Sequence, residues 1–365
     1  MKLLIKILIV FTYFSSNVLF AAEDPFKIGV LVCLTGDCAE WGSNSLKGIG
    51  LAVKEINAAG GILGREITTE VHDTVEGAGG IQAVTGFHNL IQKGDIHYFI
   101  GPSWTTGGLS MAPILSKRKD IIITSPSLGV AEFNEAAAHI FNIWPHDEYA
   151  TKALARFAIE KGWRKAAIFS SQQPWESSQG NTFETEFKKL EGSISIKEEP
   201  VPSVTDLRTE ALRILKSAPD VIFLSNFNQM GIAARQLRQI GYKGPLLAIL
   251  MDDSRIEVAG GALDGAIFAR YPDPSKSFIE RFQAMFGKEP GITSDTAYDV
   301  VNLYALAIRT AMTFDVNQVK DTILGLKYEG ASGSITFDSH GGVKKEPVLY
   351  VVNGKKMKVL EQTSL

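Results

Sequence analysis

The residues whose types and spacing best fit a binding site lie at 98–110, where the sequence reads YFIGPSWTTGGLS. The apolar run predicts a buried strand that ends at the Gly-Pro pair, and Thr105 and Thr106 precede a helix-like segment. Thr is a favoured N-cap residue, and a helix N-terminus offers free N–H groups and partial positive charge. The pattern therefore predicts a site for an anion such as a carboxylate. The alternative is that a Thr hydroxyl only caps its own helix.

Composition and motifs argue against several other classes of function. The sequence has no Gly-x-Ser-x-Gly elbow, no His-Glu-x-x-His pair and no Gly-x-x-x-x-Gly-Lys phosphate loop. Because these motifs are absent, we expect no cofactor and no enzymatic activity. The six His residues are scattered, so we also expect no metal site. With 37 Lys and Arg against 40 Asp and Glu, the chain lacks the basic excess typical of nucleic-acid-binding proteins.

The first 22 residues have the pattern of a signal peptide. Lys2 and Lys6 lead an apolar run that ends at Ala21 and Ala22, before a polar segment. We expect cleavage near Ala21 or Ala22, because the run is short and ends in small residues. No later apolar run approaches the roughly 20 residues that a membrane-spanning helix requires. The sequence therefore predicts an exported, soluble protein, which we expect to be a monomer.

The two cysteines, Cys33 and Cys38, lie five residues apart. Export permits a disulfide between them. Such a bond would close a small loop and would stiffen a turn more than it would stabilise the fold. Two free thiols are the open alternative.

Short apolar runs alternate with helical patterns from residue 26 onwards. The strands predicted before Pro145 are 27–32, 66–72, 98–100 and 121–124, and the helices are 43–59, 81–93 and 108–117. The strands predicted after it are 166–170, 193–198, 221–224, 245–249 and 266–269, and the helices are 149–161, 181–190, 207–216 and 231–240. Such repeats predict an α/β fold with two lobes, each built on a parallel sheet. A helical tract at 275–286 and 294–313 has no clear strand of its own, so we expect it to pack on the first sheet.

Residues 28–66 contain a specific series of motifs. They are an IGV strand, LTG, the pair Trp41-Gly42, a GxxLAVxEINAAGGI helix and LGR. Further motifs are IGP from residue 100, ITSP from 123, PDVIFLSNF from 219, LRQIGYKGP from 237 and AYDVVNLYALAI from 297. This series resembles the leucine/isoleucine/valine-binding family of type I periplasmic solute-binding proteins of ABC transporters.

The resemblance implies two Rossmann-like lobes joined by three crossovers, with a ligand cleft at the carboxyl ends of the strands. The expected division is residues 23–143 with 272–332 for lobe 1, and 144–271 with 333–365 for lobe 2. It also implies that the protein is periplasmic and delivers a small carboxylate solute, most simply an apolar or branched-chain amino acid, to an ABC permease in the inner membrane. The alternatives are a receptor for an amide, urea-like or aromatic carboxylate solute, and a ligand-sensing module for a signalling partner.

The resemblance also assigns ligand-binding residues in lobe 1. Thr105 occupies the place of the family's carboxylate-binding Ser or Thr, and Trp104 and Trp41 border the cavity. The next ligand loop of the family reads Ser-Pro-x-x-Thr, whereas here it ends in Ser127, Leu128 and Gly129. Gly129 therefore removes a hydroxyl, which leaves the backbone groups and the Ser127 side chain to contact the ligand.

In lobe 2 the resemblance assigns two aromatic residues, Trp175 and Phe227, to the wall of the cleft. The alternative for both is ordinary packing inside the lobe. The acidic residue that pairs with a ligand ammonium falls at Asp252, with Asp253 as the alternate. The alternative for this pair is a solvated turn.

Overall fold

The structure is a computed structural model that describes residues 24–36, 38–75 and 79–360. The predicted signal peptide and its cleavage site lie outside these residues. Within the described ranges, no helix combines the length and the apolar composition needed to cross a bilayer.

Five parallel strands form the first sheet. They are β1 Phe26–Val32, β2 Ile67–Asp73, β3 Tyr98–Ile100, β4 Ile122–Ser125 and β5 Ile140–Asn142, in the order β2-β1-β3-β4-β5. The helices between them are α1 Ala39–Ala58, α2 Ile81–Ile91, α3 Thr105–Leu115 and α4 Ala131–Asn134. β3, β4 and β5 are buried throughout, as expected for strands covered by helices on both faces.

The second sheet has seven strands in the order β14-β13-β10-β9-β8-β6-β7. The strands after β5 are β6 Lys165–Phe169, β7 Ser193–Glu198, β8 Val221–Leu224, β9 Leu246–Ile249, β10 Ile267–Arg270, β11 Lys327–Gly330, β12 Gly333–Thr336, β13 Val348–Asn353 and β14 Lys356–Val359. β6 to β10 are parallel, β13 and β14 add an antiparallel edge, and β11 pairs with β12 in a separate two-stranded sheet. The helices around this sheet are α5 Glu148–Glu160, α6 Pro174–Lys189, α7 Arg208–Lys216, α8 Met230–Gln239 and α9 Asp253–Ala259.

The helices that follow β10 pack on the first sheet and not on the second. They are α10 Lys276–Phe286, α11 Ser294–Ala311 and α12 Val316–Gly325. The Tyr304 hydroxyl on α11 donates to the Phe99 carbonyl of β3 at 2.6 Å. A Cβ added at Gly48 of α1 would lie 1.9 Å from the carbonyl oxygen of Ser294, so the two helix backbones meet where only glycine fits.

The chain passes between the two sheets three times, after β5, after β10 and before β13, which confirms the predicted fold class. Beyond β12 the chain still lies against the first sheet. The Phe337 and Phe141 rings are 5.2 Å apart, and the Asn142 N–H donates to the Gly341 carbonyl at 2.9 Å. Val343 also belongs to the hydrophobic core of the first sheet. The third passage therefore begins after Val343.

Of the two alternatives for the cysteines, the structure contains the disulfide. Cys33 follows β1 and Cys38 directly precedes α1, with Cα atoms 5.8 Å apart. Both residues are buried. The bond therefore links the end of β1 to the start of the helix that carries Trp41.

Candidate functional site

A cavity lies between the two sheets, at the carboxyl ends of their parallel strands. Its walls come from the starts of α1, α3 and α6 and from loops that follow β4, β5, β8 and β9. The lining residues are Trp41, Ser103, Trp104, Thr105, Ser127, Gly129, Asp147, Trp175, Phe227 and Leu250. The cavity volume is about 20 Å³, close to the space that one water molecule needs. A solute larger than a water molecule could enter only if the walls moved apart.

The structure brings together seven of the nine residues that the sequence predicted for the site. The exceptions are Leu128 and Asp252. Leu128 is fully buried and packs against α3, where a Cβ added at Gly108 would lie 2.8 Å from its side chain. Leu128 therefore contributes to the core beneath the loop. The ligand-binding roles of the seven residues stay predictions.

Thr105 is the first residue of α3 and faces the cavity with 5% of its surface exposed. The N-cap residue is Trp104, which has an extended backbone and no side-chain oxygen to cap the helix. The first helical hydrogen bond runs from the Gly108 N–H to the Trp104 carbonyl. The N–H groups before Gly108 therefore have no partner inside the helix, and the Thr105 hydroxyl does not cap it. This end of α3 favours an anion.

The Ser127 hydroxyl has a structural partner. It donates to the Ser103 carbonyl at 2.7 Å and so joins the loops that follow β3 and β4. The Ser125 hydroxyl reinforces this join, because it donates to the Pro102 carbonyl and accepts from the Leu128 N–H at 3.0 Å. Ser127 can still accept a hydrogen bond from a ligand, but its proton is already used.

Sequence reasoning missed Asp147, which occupies the space beside Gly129. A Cβ added at Gly129 would lie 1.7 Å from Oδ2 of Asp147, and the Asp147 N–H donates to the Gly129 carbonyl at 2.8 Å. The Trp144 indole N–H donates to Oδ1 at 2.9 Å, and the Trp175 indole N–H donates to Oδ2 at 2.8 Å. The glycine that replaces the family's Thr therefore leaves room for a carboxylate.

The Asp147 carboxylate is almost completely buried, with 2% of the residue exposed. Burial raises the pKa of Asp147 to about 7, because a charged group loses hydration there. Among the described residues, the two indole N–H groups alone act to lower this pKa. Within the described ranges, the carboxylate thus has hydrogen-bond donors but no cationic partner.

Aromatic rings form most of the remaining cavity wall. The Trp41 ring centroid lies 5.5 Å from that of Trp104 and 5.6 Å from that of Phe227, both in edge-to-face contact. Trp175 meets Phe227 in the same geometry at 6.2 Å. The predicted aromatic residues of both lobes therefore meet in one apolar wall, which suits an apolar or aromatic ligand group.

Glu176 holds the lobe 2 aromatic residues in place. The Ser171 hydroxyl donates to its carboxylate, and the Ser225 hydroxyl donates to its backbone carbonyl at 3.0 Å. The Asn228 N–H also donates to the carboxylate, at 3.3 Å, beside Phe227. Burial raises the pKa of Glu176 to about 7. This residue links the α6 start, which carries Trp175, to the loop that carries Phe227.

The structure places Asp252 outside this cavity, in the wall of a neighbouring cavity of about 280 Å³. Its carboxylate caps α9 by accepting from the Arg255 N–H at 2.9 Å, and it pairs with the Arg255 guanidinium at 2.8 Å. The alternate, Asp253, is exposed at the start of α9. The prediction that Asp252 binds a ligand ammonium is thus untested, and its carboxylate already has a cationic partner.

Among the described residues, no group of three or more His, Cys, Asp or Glu side chains is arranged to hold a metal ion. The cavity instead combines a helix N-terminus, aromatic rings and one buried carboxylate. Such an arrangement can hold a small polar molecule that has an apolar side.

Comparison with known proteins places the chain in a family. The family model described as periplasmic binding protein matches residues 25–357. The leucine-, isoleucine-, valine-, threonine-, and alanine-binding protein of Pseudomonas aeruginosa is 22% identical over 336 residues, which is 88% of each chain. A leucine binding protein from Thermotoga maritima has a similar structure, with a TM-score of 0.85 and 24% identity over 92% of this chain and 97% of the other.

A solute binding protein of an ABC transporter from R. palustris, solved in complex with benzoate, also has a similar structure. The TM-score is 0.81 with 17% identity, over 92% of this chain and 95% of the other. At these identities the structural likeness shows the fold alone. The match to the family model, which spans nearly the whole described chain, confirms the resemblance found in the sequence: the chain belongs to the periplasmic binding protein family.

Proposed function

We propose that this protein is an exported receptor that binds a small carboxylate solute, an apolar or branched-chain amino acid, and delivers it to an ABC importer in the inner membrane. Relatives named for binding leucine, isoleucine and valine support the solute class. The apolar wall of Trp41, Trp104 and Phe227 supports an apolar side chain on the ligand. The receptor acts as a monomer in the periplasm and performs no catalysis.

The observation that carries this proposal is the start of α3. Thr105 lines the cavity, and the N–H groups of the first helical turn have no partner inside the helix. A ligand carboxylate placed there gains hydrogen bonds and the favourable field of the helix dipole. The aromatic wall on the other side of the cavity would then contact the apolar part of the same solute.

We further propose that the two lobes are rigid bodies that separate to admit the solute. The residues assigned to lobe 1, 23–143 with 272–332, include the first sheet and the helices α10 to α12 that pack on it. The residues assigned to lobe 2, 144–271 with 333–365, include the second sheet. Because Phe337 and Val343 pack with the first sheet, we place the third boundary after Val343 instead of at residue 332.

Replacing Thr105 with Val is expected to weaken binding of leucine by about ten- to a hundredfold, because a hydroxyl bonded to a charged group contributes about 1.5–3 kcal/mol. Val has the same shape as Thr, so the melting temperature should be unchanged. The matched control is Thr106→Val, the same exchange at the next residue of α3, which does not line the cavity. Isothermal titration calorimetry with leucine measures both variants. Equal affinities for wild type and Thr105→Val would refute the proposed carboxylate site.

A second candidate ligand is a carboxylate without an amine, such as an aromatic acid. The Asp252–Arg255 ion pair favours this candidate, because Asp252, the acid that the family resemblance assigns to the ligand ammonium, is already paired with Arg255. The benzoate complex of a structural neighbour is consistent with this candidate. The two candidates differ in one group, the ligand nitrogen.

A further inference from the structure

We propose that Asp147 binds a positively charged nitrogen of the solute, so that the ligand is a small zwitterion such as an amino acid. This inference rests on the proposed function, because it needs a solute in the cavity between the sheets. It adds a residue that the family resemblance does not assign.

The hydrogen bonds of Asp147 leave its charge uncompensated. Each carboxylate oxygen accepts one N–H from a neutral indole, of Trp144 or of Trp175. A carboxylate oxygen can accept more than one hydrogen bond, so acceptor capacity remains on both atoms. A buried charge without an opposite charge is costly, and a ligand cation would remove that cost.

The two indole bonds also favour the ionisation state that suits a cation. Both oxygens receive N–H donors, which matches an ionised carboxylate that only accepts. A protonated carboxyl would instead need an acceptor for its own O–H. The two donors therefore partly offset the cost of burial for the negative form of Asp147, and a positive ligand group would offset more of it.

The position of Asp147 is compatible with the proposed carboxylate site. Gly129, Ser127 and Thr105 line the same cavity, and Asp147 fills the space where a side chain at 129 would begin. One small molecule in this cavity is therefore near both the start of α3 and the Asp147 carboxylate. A molecule with a carboxylate at one end and an ammonium close to it matches both charges.

Asp252 differs from Asp147 because its carboxylate already has a cationic partner. Asp252 is paired with Arg255 at 2.8 Å and caps α9. Asp147 is more deeply buried than Asp252. Among the described residues, only two neutral indoles lower the pKa of Asp147, and neither is a cation. Of these two acids, Asp147 is the one whose charge a ligand would neutralise.

Calorimetric titration with leucine at pH 8 compares the wild type, Asp147→Asn and Asp252→Asn. We expect Asp147→Asn to weaken leucine binding at least about a hundredfold, because it leaves the ligand ammonium buried without a counter-charge. Asp252→Asn tests the other acid considered for the ammonium; because its carboxylate pairs with Arg255 in the wall of a neighbouring cavity, we expect this change to alter the affinity less than about tenfold. If leucine gives no signal with the wild type, the other proteinogenic amino acids are titrated and the tightest one replaces it.

The melting temperatures of the free proteins form a second readout. Asp147→Asn removes an uncompensated buried charge, but its NH2 group then faces one of the two indole N–H donors, so the two effects oppose each other and at pH 8 its melting temperature should stay close to that of the wild type. An Asp147→Asn protein that does not fold would show that the carboxylate supports the structure, and this would overturn the proposal.

The remaining outcomes separate the two proposals. If the wild type binds an amino acid and Asp147→Asn binds it within about threefold, the role of Asp147 is refuted while the proposed function stands. If the wild type binds no amino acid, the proposed amino-acid receptor fails and the role of Asp147 fails with it. If the loss is confined to Asp147→Asn in a folded protein, both proposals are supported.

Discussion

Replacing Gly129 with Thr, the residue type that the family resemblance places there, is expected to abolish leucine binding and to destabilise the protein. The new Cβ would lie 1.7 Å from Oδ2 of Asp147. Asp147 has little freedom to move, because Trp144 and Trp175 hold its two oxygens and its N–H is bonded to the Gly129 carbonyl. Forcing extra atoms into a packed site typically costs about 1–3 kcal/mol and sometimes more. Thermal unfolding and calorimetry with leucine measure the two effects.

Two control variants test whether the steric clash between residue 129 and Asp147 causes these effects. Gly50→Thr makes the same exchange in α1, where an added Cβ meets no atom within 4 Å, and it should leave stability and binding almost unchanged. The double variant Gly129→Thr with Asp147→Ala removes the obstructing carboxylate, so it should recover most of the lost stability. If the stability losses of Gly129→Thr and Asp147→Ala simply add in the double variant, Asp147 is not the group that excludes a side chain at position 129.

The second large effect is a loss of leucine affinity as the pH falls below 7. Burial raises the pKa of Asp147 to about 7, so the free protein is protonated there at lower pH. A neutral carboxyl cannot pair with an ammonium, and leucine itself stays zwitterionic between pH 5 and 8. Because leucine binds the ionised form of Asp147, the carboxyl must lose its proton before binding, and the affinity falls about tenfold for each pH unit below its pKa. Calorimetry between pH 5 and 8 measures this slope.

Other titratable groups near Asp147 define the control for this experiment. His146 and Glu148 are its chain neighbours, and Tyr271 donates to the His146 carbonyl at 2.7 Å. Burial lowers the pKa of His146, whereas burial and, to a smaller extent, the charge of Asp147 raise the pKa of Tyr271. Asp147→Asn retains these three groups and also Glu176, whose pKa burial raises to about 7. If Asp147 sets the pH dependence, the weaker binding of this variant is flat across this pH range, whereas an unchanged slope assigns the dependence to one of the retained groups.

The stability of the free protein should change with pH in the opposite direction. A carboxyl whose pKa is raised by folding binds more protons in the folded state, so it stabilises the fold as the pH falls from about 7 towards 4. Asp147, Glu176 and Asp295 share this sign, with pKa values raised by burial to about 7, 7 and 6. His139 and His146 oppose it, because burial lowers their pKa values. Ligand-free protein should thus gain stability under the conditions that weaken leucine binding.

Most of the fold could be predicted because its strands are buried apolar runs bounded by turns. β3, β7 and β8 were predicted with their observed bounds, and the other predicted strands differ by one residue at one or both ends. β5 has three residues, as β3 does, but it follows the four-residue α4, which is too short for a periodic pattern, and it was missed. The short α9 and the ten-residue α12, which closely follows the longer α11, were missed as well.

The candidate site was predictable where it depends on single loops that follow strands. Thr105 and the aromatic residues could be found this way. Asp147 could not, because two of the groups that define its role, Gly129 and Trp175, lie in separate parts of the chain. A local signal did exist for Asp252: an Arg three residues after an N-cap Asp is well placed to pair with it.

An amino acid held by its ammonium as well as by its carboxylate must bind less tightly when the nitrogen is removed. Calorimetric titration of the wild-type protein at pH 8 with leucine and with its deaminated analogue, 4-methyl-2-oxopentanoate, measures this difference. The two ligands share the carboxylate and the branched side chain and differ in the charged nitrogen. We expect leucine to bind at least about a hundredfold more tightly. Keto-acid binding that equals or exceeds that of leucine would contradict it and would favour a carboxylate ligand without an amine.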